Sequence, residues 1–258
     1  MTIRRAPLPA DLVPPACETP PVELGRPARP PHPAFGAGFT AFLGLALEFG
    51  ALAKPGAESA GLLVACVAAI ACLAGVMRFW DGTAPRHVPA KLAFTRPTLR
   101  WMAAAVLAIG PAVVITTLAF TSGARATSNR TAWAGSDLAT RGLAMIAAAS
   151  WIEISARGYA FRACMGRHGF AFAAVLGAVA SVAGMLPLLL ALDPVQRTIA
   201  VALEIPLSLA LAGLVWRSGS LAPALIVRLA LLAALASSGN AFAFAPAALV
   251  LWSAASRR

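Results

Sequence analysis

Long apolar runs separated by short polar connections make up most of this chain. The runs lie at about 34–53, 57–77, 101–120, 139–161, 169–192, 198–216, 220–237 and 239–254. Each approaches the roughly 20 residues that a helix rising about 1.5 Å per residue needs to cross the hydrocarbon core of a bilayer. The expected fold class is therefore all-α, a polytopic transmembrane helical bundle of about eight helices. The last two runs are parted only by Ser237-Ser238-Gly239-Asn240, a turn-forming cluster that suits a tight hairpin between antiparallel helices. No repeat of fixed period is visible.

Ahead of the runs, residues 1–33 hold ten of the twenty prolines, and the stretch 26–33 cannot form a regular helix. This segment is expected to be an extended cytoplasmic arm, solvated or ordered along a partner. It lacks the apolar core and small-residue cleavage site of a signal peptide, so it is expected to stay on the mature protein. Residues 34–258 then form one transmembrane helical domain.

Composition explains why lipid must be the solvent. Hydrophobic residues are 59% of the chain and charged ones 12%, and the mean hydropathy is +0.78. That leaves too little polar surface to cover a soluble globule. The net charge of +11 would point to nucleic acid in a soluble protein. Here no basic cluster with interleaved aromatics is present, and the arginines crowd one side of the runs. With a cytoplasmic amino terminus, the inner segments carry Arg4, Arg5, Arg26, Arg29, Arg78, Arg86, Lys91, Arg96, Arg100, Arg162, Arg167, Arg217, Arg257 and Arg258. The outer connections carry Lys54, Arg125, Arg130, Arg141 and Arg197. By the positive-inside rule both termini are expected in the cytoplasm. Trp80, Trp101, Trp133, Trp216 and Trp252 fall near run ends, where an indole sits well at headgroup level. The Ala-rich, Arg-rich, Lys-poor composition looks like that of a high-GC bacterial genome, so a bacterial inner membrane is the expected location and the sequon at Asn129 carries no weight.

Metal and cofactor chemistry finds no anchor. Cys17, Cys66, Cys72 and Cys164 are scattered without a Cys-x-x-Cys pair and read as small apolar packing residues. His32, His87 and His168 fall in the arm or the connections. No cofactor and no metal are expected. A phosphate loop, a His-Glu-x-x-His helix and a Gly-x-Ser-x-Gly elbow are all missing.

Five ionisable residues lie within the runs: Glu48, Glu153, Arg157, Glu204 and Arg228. Such groups cost several kcal/mol at bilayer depth unless paired, and they mark function by default. Glu48 sits six residues before Lys54, where it reaches the interface. Glu153 and Arg157 are four apart, on one helix face. Counted inward at helical rise from Arg162 and Arg217, Glu153, Arg228 and Glu204 lie about 13, 16 and 19 Å deep. The expectation is one intramembrane charge cluster, two carboxylates against two guanidinium groups, with no net charge.

At these residues the sequence resembles a family. Ile152-Glu-Ile-Ser-Ala-Arg-Gly-Tyr159, followed by Trp216-Arg-Ser-Gly-Ser-Leu-Ala-Pro-Ala-Leu-Ile-Val-Arg228, is similar to the CPBP family of intramembrane proteases, the CAAX-prenyl protease and bacteriocin-processing group. The resemblance covers about 139–240 and implies an eight-helix fold with cytoplasmic termini. In that pattern Glu153 and Arg157 are remnants of the first motif. Ile152 stands where the first of two adjacent glutamates belongs, Arg228 where a histidine belongs and Leu232 where an asparagine belongs. The stretch from Val182 to Leu186, where the second motif is expected, has no histidine. Hydrolysis at such a site needs a carboxylate to activate water and imidazoles to hold a metal or stabilise the oxyanion. One glutamate remains, and an arginine supplies a permanent positive charge where a metal would sit.

The functional expectation is thus a pseudoenzyme without catalytic residues. It would act by binding, as a scaffold, assembly factor or accessory subunit of a membrane complex. Its partners would be membrane lipids and other integral membrane proteins, with small-residue helix faces for close association and residues 1–33 as a docking arm. Two alternatives are a transporter or lipid-handling protein using the Glu/Arg cluster, and an intramembrane protease with an altered mechanism.

Overall fold

The computed structural model describes residues 58–79, 82–121, 138–190, 192, 194–238 and 244–256. The proline-rich arm, the first apolar run, Cys17, His32, Glu48 and the connection holding Asn129 lie outside them. Among the described residues the chain is all-helical, without strands. Its elements are α1 (Glu58–Phe79), α2 (Val88–Lys91), α3 (Leu99–Thr121), α4 (Leu138–Glu153), a π-helical segment (Ile154–Phe161), α5 (Arg162–Leu190), α6 (Pro194–Ser218), α7 (Ala222–Ser238) and α8 (Phe244–Ser256).

Ser59–Phe79, His168–Leu186 and Pro194–Ser218 are long and apolar enough to cross a membrane, and three shorter apolar helices accompany them. Their outward faces are greasy: Val64, Val67, Val106, Leu107, Val175 and Val179 are all exposed. A soluble protein does not carry so much exposed apolar surface on so many helices. The chain therefore reads as a membrane protein. Pro111 and Pro206 lie inside α3 and α6 without ending them, as spanning helices tolerate when neighbours satisfy the freed carbonyls.

The run read from sequence as 139–161 does not stop at Arg162. Helical structure continues through 162–168, expected to be a connection, and breaks at Gly169, whose φ of 79° only glycine adopts without strain. Aromatic rings close this corner: Phe170 meets Phe161 edge-on with centroids 5.7 Å apart and Trp216 at 5.6 Å. Beyond the corner α5 runs back antiparallel to α4. Gly184 lies against Ile152, and seven residues earlier Gly177 lies against Ala156. A Cβ on Gly177 would stand 3.1 Å from the Ala156 carbonyl oxygen, and one on Gly184 3.3 Å from Ile152 Cγ1. Two glycines two turns apart thus let the backbones approach closely, as small residues do in membrane bundles. At its far end α5 is capped by Arg197, whose guanidinium donates to the carbonyls of Leu189, Leu190 and Leu192.

The expected hairpin between the last two helices is not how they pack. Residues 239–243 are outside the described set, but α8 lies chiefly on α6 and α3, while α7 lies on α3 and α4. Ala-lined and Leu-lined faces on those neighbours bury Phe244, Ala247 and Leu251, and that burial outweighs chain adjacency. Of the cysteines, Cys66 and Cys164 are buried packing residues as expected, whereas Cys72 is exposed.

A strap, residues 82–98 with α2 in it, joins α1 to α3 at one end of the bundle. The stretch after α2 pairs with the Gly219-Ser-Leu221 turn between α6 and α7. Leu221 N–H donates to the Ala93 carbonyl at 2.8 Å, the Ser220 hydroxyl to the Thr95 carbonyl at 2.6 Å, and the Thr95 hydroxyl to the Gly219 carbonyl at 2.7 Å. Gly219 turns at φ 65° and Ala93 at φ 61° to make this possible. Gly158 of the π segment lies beneath, with space for a Cβ limited by Leu92 Cδ2 at 3.3 Å and Leu221 Cδ2 at 3.5 Å.

Candidate functional site

Helix geometry brings the charged residues together from three directions. Glu153 ends α4, Arg157 lies one turn on in the π segment, Glu204 is in the middle of α6, and Arg228 in the first half of α7. All four are fully buried, at 0% exposure. Arg157 Nη1 donates to Glu153 Oε1 at 2.6 Å, and Arg228 Nε donates to the same oxygen at 2.9 Å. Arg228 then forks onto Glu204, with Nη1 to Oε2 at 2.7 Å and Nη2 to Oε1 at 2.6 Å. The fork matches a planar guanidinium to a carboxylate bidentately, the strongest geometry for such a pair. Arg228 is thus the bridge between the two carboxylates, and two positive charges balance two negative ones.

Three further side chains complete the arrangement, none of them singled out from the sequence. The Ser181 hydroxyl donates to Glu204 Oε1 at 2.6 Å and accepts from Arg228 Nη2 at 2.9 Å and Arg157 Nη1 at 3.3 Å. It ties both arginines to one glutamate. Ser208, one turn after Glu204, donates to Oε1 at 2.6 Å. The Met185 sulfur accepts from Arg228 Nη1 at 3.0 Å. Ser181 and Met185 are four apart on α5, so it is this pair, rather than Val182 and Leu186, that turns toward Arg228. The face is set by Gly177, Ser181 and Gly184, a spacing of four and three that keeps all three against α4 and the π segment.

A sequence signal for these residues exists. Ser181 is the sole hydroxyl between Phe170 and Leu190, and Ser208 follows Glu204 by one helical turn. A lone hydroxyl in an apolar helix is cheap to bury only with a partner. Its partner could have been sought among the nearby charges.

Ile152 and Leu232 are buried in the apolar core. No group of three or more His, Cys, Asp or Glu side chains able to hold a metal occurs among the described residues. His87 lies in the turn before α2 and His168 at the Gly169 corner, both exposed and away from the cluster. The network is not evenly saturated. Glu204 accepts through both oxygens, whereas Glu153 Oε2, Arg157 Nε and Nη2, and Trp151 Nε1 have no hydrogen-bond partner among the described residues. Compared with known proteins, the chain matches no family model, and no curated protein is a significant match.

Proposed function

We propose that this chain is a non-catalytic integral membrane protein, a degenerate relative of the CPBP group, that acts by binding as a scaffold, assembly factor or accessory subunit of a larger membrane complex. The observation that supports this reading best is the closure of the charge cluster. A general base must be reached by water and substrate, yet both carboxylates are fully buried and both are engaged by Arg228. Most polar atoms of the cluster bind one another and none is reached from outside, which turns the search for function to the outer helix faces and the arm. In this reading the bundle has eight spans with both termini in the cytoplasm, and it resides in a bacterial inner membrane. Affinity purification in mild detergent tests it: one partner recovered with the full chain, and lost on deletion of residues 1–33, supports it. A monodisperse monomer without partner overturns it.

The open half of the cluster favours a second reading. Glu153 Oε2 and two Arg157 nitrogens could meet a headgroup or a proton in a transporter or lipid-handling protein. There Glu204→Gln changes uptake or lipid distribution at unchanged expression. Cleavage of a membrane peptide that Glu153→Gln abolishes would instead establish an intramembrane protease of altered mechanism.

A further inference from the structure

A cavity of about 280 Å³ opens between α1, the strap and the π segment, and it is lined by Ile70, Leu73, Ala74, Val88, Pro89, Leu92, Phe94 and Ile154. Every lining side chain is apolar. Ile70 and Ala74 lie eight and four residues before Arg78 on α1, so the cavity reaches about 6 to 12 Å along the helix from the level of that arginine.

The residues that flank this lining along the chain have the opposite chemistry. Arg78 occupies the last turn of α1, and Arg86, Lys91 and Arg96 follow on the strap, all exposed. The strap is amphipathic over a few residues: Val88 and Leu92 turn inward to the cavity, while Arg86 and Lys91 stay outside. From Arg78 to Arg96 the sequence holds four basic residues against the single acidic Asp81, so the collar is net cationic. An occupant that satisfies both parts needs an apolar tail and an anionic head.

We infer that the cavity holds part of one acyl chain of an anionic phospholipid whose phosphate lies against the Arg78, Arg86 and Lys91 collar. With a water taking about 30 Å³ of liquid and a methylene of the same order, the volume suits on the order of ten methylenes. The remainder of the lipid lies along the exposed face of α1 beside Val64 and Val67. Tail and head together make a lipid that stays with the protein, packed between α1 and the strap, unlike the bulk lipid around the other helices. This inference rests on the membrane reading and is independent of the charge cluster.

Native mass spectrometry of the full chain, released from nanodiscs of equimolar phosphatidylglycerol and phosphatidylcholine, tests the site. The expected result is one retained phosphatidylglycerol per chain. Ala74→Phe, which fills the cavity, lowers the retained fraction at least fivefold. Arg78→Glu combined with Arg86→Glu, both exposed and outside the packed core, abolishes the preference for the anionic lipid whatever the fate of the first variant. A lipid-free but membrane-embedded wild type, or an unchanged preference in the arginine variant, overturns the inference. Recovery of the chain in the soluble fraction after alkaline extraction overturns the membrane reading beneath it.

Discussion

Arg228 and Glu204 meet as a two-pronged fork, Nη1 2.7 Å from Oε2 and Nη2 2.6 Å from Oε1, with both side chains shut off from solvent. Removing one partner of such a pair strands a buried charge. Arg228→Met is therefore expected to destabilise the bundle by about 3–5 kcal/mol. Arg228→Met with Glu204→Met leaves Glu153 paired to Arg157 and the core neutral, so it should recover at least half of that loss. Unfolding of the four forms in detergent, followed by circular dichroism as a double-mutant cycle, reads the coupling directly. A single variant as stable as the wild type would mean that the fork does not hold α6 to α7.

Two serines in the same network should behave differently. Ser181 makes three hydrogen bonds and links both arginines to Glu204, whereas Ser208 makes one. Ser181→Ala leaves charged partners short and is expected to cost about 1–3 kcal/mol, with Ser208→Ala costing less, near 1 kcal/mol by the usual net worth of a buried hydrogen bond. Equal melting temperatures for the two variants would contradict the linking role of Ser181.

How far the sequence foretold this depends on which physical signal each residue carries. Helical class and the four charged residues were legible, because apolar length and a charge within an apolar run are properties of the chain itself. The i,i+4 placing of Glu153 and Arg157 was legible too, since it needs only one helix. Residues 162–168 read as a connection because Arg162 and Arg167 look like loop charges, whereas the helix runs through them and turns only at Gly169. Ser181 and Met185 were missed by one position, since their direction depends on how closely α5 lies on α4, which Gly177 and Gly184 decide. Nor could the apolar periodicity show that α8 leaves α7 for α6 and α3, because any Ala-rich and Leu-rich face can choose among several partners.

That close approach gives a third prediction. Gly177→Ala puts a methyl 3.1 Å from a carbonyl oxygen that belongs to the backbone and cannot rotate away. Overpacking of this kind costs about 1–3 kcal/mol. Gly166→Ala, with no heavy atom within 4 Å, should be neutral or slightly stabilising, because alanine favours helix. Thermal aggregation of the two proteins in one detergent compares them, and a neutral Gly177→Ala would show that the π segment and α5 are free to separate.

The strap supplies a fourth. Ser220→Ala removes the 2.6 Å hydrogen bond to the Thr95 carbonyl, and Gly219→Ala forces a side chain into the left-handed region at a cost of about 1–2 kcal/mol. Both are expected to speed tryptic cleavage after Arg86 or Lys91 severalfold without unfolding the helices. Unchanged cleavage would indicate that the strap is held by Leu92 and Gly158 alone.

The wide turn from Ile154 to Phe161 has a consequence for what the gene can tolerate. All eight of its residues are buried, and π-helical winding spends more residues per turn than the 3.6 of an ordinary helix. Loss of a single codon there would let the segment relax into regular helix while the helix beyond kept nearly the same facing, because a π turn holds about one residue more than an α turn. Loss of a codon from the regular winding of α4 would instead rotate Glu153 and everything after it by about 100°. The wide turn is thus the place in this helix where the chain can shed a residue and keep its charges on the same side.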